Sequence, residues 1–231
     1  MIEEGQAPGA DGGGAEESSE KEPDKKGSFW KELPILLGVA ILVAFLVRSF
    51  VLQTYYIPSG SMETTLELDD RVLVNKLVYH FSEPERGEII VFTAPERWRS
   101  NMDEDEFIKR VIAVGGDHVV CCDDSGRLTV NGEPLDEGDY LYVNPLTGDQ
   151  DVPSQDSFDV IVPDGKLWVM GDHRQASGDS REQFIRSGGD VEAATIAADD
   201  VIGKAFVLFW PFNHATWFTA PDTFEDVPDP S

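Results

Sequence analysis

Residues 107–117 read FIKRVIAVGGD, and residues 87–95 read GEIIVFTAP. Both are short, rich in Ile, Val and Phe, and closed by Gly or Pro, the pattern of strands bounded by turns. Neither carries the three-to-four spacing of an amphipathic helix. The same texture extends in both directions. RVLVNKLVYHF (71–81) precedes them, while HVVCC (118–122) and RLTVNGEPL (127–135) follow around the turn signals Asp124-Ser125-Gly126 and Asn131-Gly132. KLWVMGD (166–172) and VIGKAFVLFWP (201–211) supply late strands. Between Pro134 and Pro163 the chain reads as an acidic loop, and GDVEAATIAADD (189–200) is the one fair helical candidate. The fold class expected is mainly β, with antiparallel pairing.

The 231 residues include 18 basic and 44 acidic ones, a formal net charge of -26. Such an excess argues against nucleic acid as a partner, since its binders present a basic face. Two cysteines exclude a disulfide-rich scaffold and any zinc site of three or four thiolates. Residues 1–28 carry one Met, one Ile and no aromatic. They cannot bury enough apolar surface to offset chain entropy, so disorder is expected there. The tail 218–231 is expected to behave alike. Leu33 to Val47, LPILLGVAILVAFLV, is unbroken by charge. Three readings compete for it: a core helix, a cleaved signal peptide and an uncleaved membrane anchor. An all-apolar helix needs covering on every side, and the acidic stretch before the run does not suit a signal peptide. The anchor is favoured over 29–52, with Phe29, Trp30, Phe50, Tyr55 and Tyr56 at the interfaces and Lys31 and Arg48 snorkelling. Lys25, Lys26 and Lys31 before the run against Arg48 after it put the N-terminus in the cytoplasm.

Chemistry-bearing residues are few. The chain has no G-x-S-x-G, and the S-x-x-K at Ser18–Lys21 falls in the acidic tail. His80, His118, His173 and His214 show no ligand spacing, so no metal is implied. His173, after Gly-Asp at a strand end, fits anything from a hydrogen-bonded loop residue to a site neighbour, the structural reading being favoured. IPSGSMETTL (57–66) sets two serines around Gly60, which permits an unusual turn that projects Ser61. Composition alone allows a helix cap or polar turn equally. Lys109 stands inside an apolar strand, where a snorkelling or edge lysine is the commoner case. MGDHRQASGDSR (170–181), read alone, is a solvated loop. Cys121-Cys122 is left as buried thiols or a structural disulfide, with no catalytic part.

Taken together and in this order, the three segments resemble the bacterial type I signal peptidases, membrane-bound serine proteases that remove signal peptides from exported proteins. IPSGSMETTL is similar to the family's nucleophile box, DDRVLVNK (69–76) to its second, RGEIIVF with FIKRVIAVGGD to its third, and GDHRQASGDSR to its last. The resemblance implies Ser61 as nucleophile, Lys109 as general base, Ser177 orienting the lysine, and Asp179 with Arg181 as a structural ion pair; Asp172 and Arg174 fall in the same box. It puts the oxyanion donors at the Ser61 N–H and the Ser59 hydroxyl. It further implies cleavage after an Ala-X-Ala pattern, with Ile57, Pro58, Met62, Leu66 and Ile108 near one shallow pocket and Tyr55, Val72 and Val91 near another. Each of these is as readily plain core. Thr64 stands where the family usually has Pro, and Ala113-Val114-Gly115-Gly116-Asp117 departs from its Gly-x-Pro-Gly-Asp; His173 and Ala176 replace common asparagines.

The implied organisation is a catalytic β domain at 53–117 and 166–217, interrupted by a smaller β insertion at 118–165. No cofactor is implied. Expected partners are signal peptides of exported preproteins, the lipid bilayer and the nearby secretion translocon; the expected location is the bacterial cell membrane, single-pass, catalytic domain outside.

Physical chemistry agrees with a Ser/Lys pair. Free lysine is neutral in only about one molecule in 2,500 at pH 7, so a basic lysine needs an apolar wall that disfavours its charge. Phe107, Ile108, Val111 and Ile112 can build one, and strand alternation turns Arg110 to the other face. A substrate strand can pair beside a sheet edge. Two rivals stand against this. Self-cleaving SOS-response repressors share the Ser/Lys logic but need a DNA-binding helical module, which is not seen here. An inactive membrane-tethered β module needs none of Ser61, Lys109 and Ser177.

Overall fold

The computed structural model describes residues 26–101 and 105–230, without side-chain detail at 26–31, 46, 49 and 50. Most of the expected 1–28 tail, and the side chains of Phe29, Trp30, Lys31 and Phe50, lie outside the described residues.

The chain divides into two units, Met1–Val43 and Ala44–Ser231. The first holds most of helix α1 (Lys26–Leu46), with Pro34 within it. Its apolar side chains are exposed, Ile35 at 67% and Ile41 at 61%. Among the described residues no helix is long and apolar enough to cross a membrane. The spanning anchor expected over 29–52 is therefore not found. The uncharged run covers about 22 Å as a helix against a hydrocarbon core of about 30 Å, and beyond Leu46 the backbone turns π-helical over Val47–Val51.

The second unit is built on two antiparallel sheets. Twelve strands are named in chain order: β1 (Leu52–Tyr56), β2 (Arg71–Asn75), β3 (Ile89–Thr93), β4 (Glu106–Val114), β5 (His118–Cys121), β6 (Leu128–Val130), β7 (Glu133–Pro134), β8 (Phe158–Ile161), β9 (Lys166–Met170), β10 (Ile196–Ala197), β11 (Val201–Trp210) and β12 (Thr216–Trp217). The large sheet runs β1-β2-β11-β3-β4-β9-β10, with β12 also on β11; the small one runs β7-β6-β5-β8. Alternation along β3 sends Ile90 and Phe92 into one apolar cluster and Ile89 and Val91 into another. Gly203 lets β11 close on β2, because a Cβ there would stand 2.4 Å from the Asn75 carbonyl oxygen.

The small sheet is not a separate globule. Val119, Leu128, Phe158 and Val160 share one core with Ile112, Trp168 and Met170 of β4 and β9. β8 lies within the stretch read as loop, where its short Phe158–Ile161 alternation is easily passed over. Cys121 and Cys122 are joined to each other as a disulfide across a cis peptide.

Three expectations are corrected. The helix read at 189–200 is one turn, α3 (Val191–Ala194). Ile196 then pairs with Leu167, since β9 offers an open edge. A helix absent from the sequence reading, α2 (Ser180–Arg186), starts on Asp179, whose side chain accepts from Arg181 N–H. Asp179 with Glu182 three residues on was its capping signal. The tail after 218 is packed, not disordered: Phe224 and Val227 are buried in the core shared by the two sheets. The Asn131 amide also donates to the Pro228 carbonyl at 2.8 Å. Two apolar side chains and a few backbone contacts hold a segment too polar to be read as ordered.

Candidate active site

The nucleophile segment joins β1 to β2. Leu66 N–H donates to the Met62 carbonyl at 2.7 Å, and Ile57 N–H to the Asp70 carbonyl at 2.9 Å, tying the loop across its base. Ile57, Met62 and Leu66 anchor it from below, each at most 2% exposed. Gly60 does not adopt a positive φ; the left-handed residues here are Thr64, at φ 84°, and Asp69, at φ 70°. The unusual turn foreseen at Gly60 lies instead at those two positions.

β4 brings Lys109 against this loop. Its Nζ donates to Ser61 Oγ at 2.7 Å and to the Ile108 carbonyl at 2.9 Å. Lys109 is 4% exposed and Ser61 6%. Burial lowers the lysine pKa from the ordinary 10.5 to about 8, although Asp179 and Asp172 pull the other way. Of the four flanking hydrophobes, Phe107 and Val111 share its face, and the Phe107 ring lies 5.6 Å from Nζ.

Arg110 turns to the opposite face and is also buried. Its Nε and Nη2 bind Asp172 at 2.9 and 2.6 Å, and Nη1 donates to the Gly87 carbonyl. Arg174 pairs with buried Glu137 and donates from Nε to the Gly171 carbonyl at 3.0 Å. Asp179 accepts from Arg181 Nη2 at 2.8 Å and from Gly171 N–H at 3.0 Å. Burial pushes the Asp179 carboxyl up, but the Arg181 charge and these bonds outweigh it and hold it below the ordinary range.

Ser177 makes no hydrogen bond to the lysine. Its Oγ is buried without a partner in hydrogen-bond geometry, yet lies near enough to the Asp179 carboxylate to help hold it ionised. The hydroxyl packs instead on Gly171, where a Cβ would stand 2.4 Å from it and 2.3 Å from the Ser61 carbonyl oxygen. Gly171 is a site residue that the sequence reading passed over. Its position in the Met-Gly-Asp-His run, at the end of a strand, was the available signal.

A cleft of about 360 Å³ opens on the pair. Among its lining residues are Tyr55, Ile57, Pro58, Ser59, Ser61, Val91, Ile108 and Lys109, together with Trp98, Phe107, Ala176 and Gly178. Met62, Leu66 and Val72, expected at the pockets, lie wholly beneath it at 0% exposure. Tyr55 and Glu106 close one side, the phenol donating to the carboxylate at 3.2 Å. Among the described residues no cluster of His, Cys, Asp or Glu is placed to hold a metal ion.

A buried lysine amine set on a serine hydroxyl beneath an apolar cleft is the arrangement of a serine hydrolase. The family described as signal peptidase, peptidase S26, matches residues 30–210. Among curated proteins the chain is 38% identical to a probable signal peptidase I of Mycobacterium leprae, over 82% of this chain and 79% of that one. It is 37% identical to the signal peptidase I of Mycobacterium tuberculosis (89% and 81%) and 35% identical to a probable signal peptidase I-2 of Synechocystis (84% and 80%). A crystal structure of a signal peptidase I from Enterococcus faecalis aligns at 27% identity and TM-score 0.37, over 53% of this chain and 97% of that one. The chain belongs to the signal peptidase, peptidase S26, family and is a serine endopeptidase.

Proposed function

We propose that this endopeptidase removes signal peptides from exported preproteins after an Ala-X-Ala site, with Ser61 as nucleophile and Lys109 as general base. The observation that carries the proposal is the 2.7 Å contact between Lys109 Nζ and Ser61 Oγ, made by a buried lysine whose pKa falls to about 8. In its neutral form the amine accepts the hydroxyl proton as Oγ attacks the scissile carbonyl carbon. The oxyanion is met by Ser61 N–H and the Ser59 hydroxyl. The new ammonium then protonates the leaving amine, the C–N bond breaks, and an ester to Ser61 remains. Water, deprotonated by the same lysine, hydrolyses the ester and restores the pair. Ser177, beside the Asp179 carboxylate and Gly171, lines the site in this reading. The mouth framed by Tyr55, Ile57, Pro58, Val91 and Ile108 suits methyl-sized side chains, and an extended substrate adds backbone bonds at a strand edge.

The apolar helix α1, with no charged face between Leu33 and Val47, supports a membrane anchor completed by its flanking aromatic and basic residues. The proposed setting is the bacterial cell membrane, N-terminus cytoplasmic, near the translocon where preproteins emerge. The test is cleavage of an Ala-X-Ala signal-peptide substrate by the full chain in lipid–detergent micelles, beside Ser61→Ala and Lys109→Ala. Cutting after the last Ala by the wild type alone is the expected outcome. Turnover retained in either folded variant rejects the assignment.

A further inference from the structure

The Gly60–Ser61 peptide is gripped by His173. Gly60 C=O accepts from Glu63 N–H at 3.1 Å and from His173 Nδ1 at 3.2 Å. The same Nδ1 lies 3.0 Å from Glu63 Oε2. A carbonyl and a carboxylate only accept, so Nδ1 carries the proton. One residue on, Ser61 C=O accepts from His173 N–H at 3.1 Å. The imidazole is stacked on Tyr142, ring centres 3.8 Å apart and planes at 17°. His173 thus fixes the carbonyls on both sides of Ser61 and is itself fixed by Glu63 and Tyr142.

This peptide ends in Ser61 N–H, to which no described residue offers an acceptor. Hydrogen bonds in series polarise one another. Two donors on the Gly60 oxygen draw density through the amide and leave its N–H a stronger donor. Catalytic stabilisation by such a donor depends on its being oriented before charge develops. We infer that His173 is a positioning residue: held by Glu63 and Tyr142, it orients and polarises the Gly60–Ser61 peptide as an oxyanion donor. This rests on the proposed Ser61 mechanism.

The test compares wild type, His173→Phe, which keeps the stacking ring without a donor, and His173→Asn, which restores an amide donor. Ser61→Ala is the control, and kcat, KM and thermal midpoint are measured on the same signal-peptide substrate. Removing an oxyanion donor outright costs about 10²–10³ in kcat. Weakening one should lower kcat in His173→Phe by about tenfold or more, with KM and midpoint little changed. His173→Asn should recover most of the rate. Wild-type kcat in His173→Phe, a loss confined to KM, or His173→Asn as slow as His173→Phe overturns the inference. Should His173→Phe fail to fold, Glu63→Gln takes its place: a several-fold fall in kcat supports the inference, and an unchanged kcat overturns it. An active Ser61→Ala would remove the mechanism itself, whereas an inactive Ser61→Ala beside a fully active His173→Phe would remove only the role of His173.

Discussion

Lys109 and Arg110 are neighbours in β4, both at most 4% exposed, and their pKa values move in opposite directions. Burial works against both charges. Around Arg110 the Asp172 carboxylate outweighs it and the guanidinium is held above its ordinary value. Lys109 has a serine hydroxyl and a carbonyl for partners, so its pKa falls to about 8. Turnover requires the neutral amine. The rate kcat/KM is therefore expected to rise about tenfold per pH unit below pH 8 and to level off above it. A flat profile between pH 6 and 9 contradicts the lysine base.

The same displacement has a consequence for stability. Between pH 8 and 10.5 the unfolded chain binds a proton at Lys109 that the folded chain does not, so this residue's contribution to stability rises with pH across that window. Below it the buried lysine costs the fold about 3 kcal/mol. Lys109→Met keeps the aliphatic stem without the amine. It should abolish cleavage yet melt several degrees higher than wild type at pH 7, read by thermal unfolding of each protein.

Gly171→Ala should damage the site without touching a reacting group. Its Cβ would meet the Ser61 carbonyl oxygen at 2.3 Å and Ser177 Oγ at 2.4 Å, and the first of these is backbone. Relief means moving the nucleophile. An overpacked contact of this kind costs about 1–3 kcal/mol, and kcat should fall at least about tenfold, since small misplacements are costly. Near-normal kcat with a near-normal melting point would show that the loop has slack.

Thr64, β-branched and at φ 84°, stands in a region that costs an L-residue about 1–2 kcal/mol. Thr64→Gly should stabilise the protein by about 1 kcal/mol. Thr64→Pro should destabilise it by more than about 1 kcal/mol, because the ring fixes φ near −65°. Denaturant midpoints of the two variants decide it. Stabilisation by proline would place this turn in a different conformation.

Much of this could be read from residue order. Strands rich in Val, Ile and Phe between Gly and Pro turns reappear as β2 to β6, β9 and β11. Ser61 and Lys109 were named as a pair and stand in contact. The contacts that escaped the reading depend on distant partners. Nothing local in PDTFEDVP marks Phe224 as a core residue, because the surface covering it belongs to both sheets. Ser177 carries the right chemistry in the right motif, but its packing depends on how closely Gly171 lets it and the Ser61 segment approach. Met62, Leu66 and Val72 are apolar whether they line a cleft or lie under it. His173 is legible as a hydrogen-bonded residue after a strand, but its partners Gly60 and Glu63 are more than a hundred residues away and cannot be read from its surroundings.

β11 has a further consequence in the order of synthesis. In the large sheet it lies between β2 and β3. Ser61 hangs from the β1–β2 hairpin, while Lys109 rides on β4, which pairs with β3. Until residues 201–210 are made, these two hairpins lack the strand that joins them within the sheet, and only the contacts of residues 171–173 with the Ser61 segment link their ends. Assembly of the proposed pair is therefore expected to wait on the synthesis of β11, a strand that contributes neither of its residues.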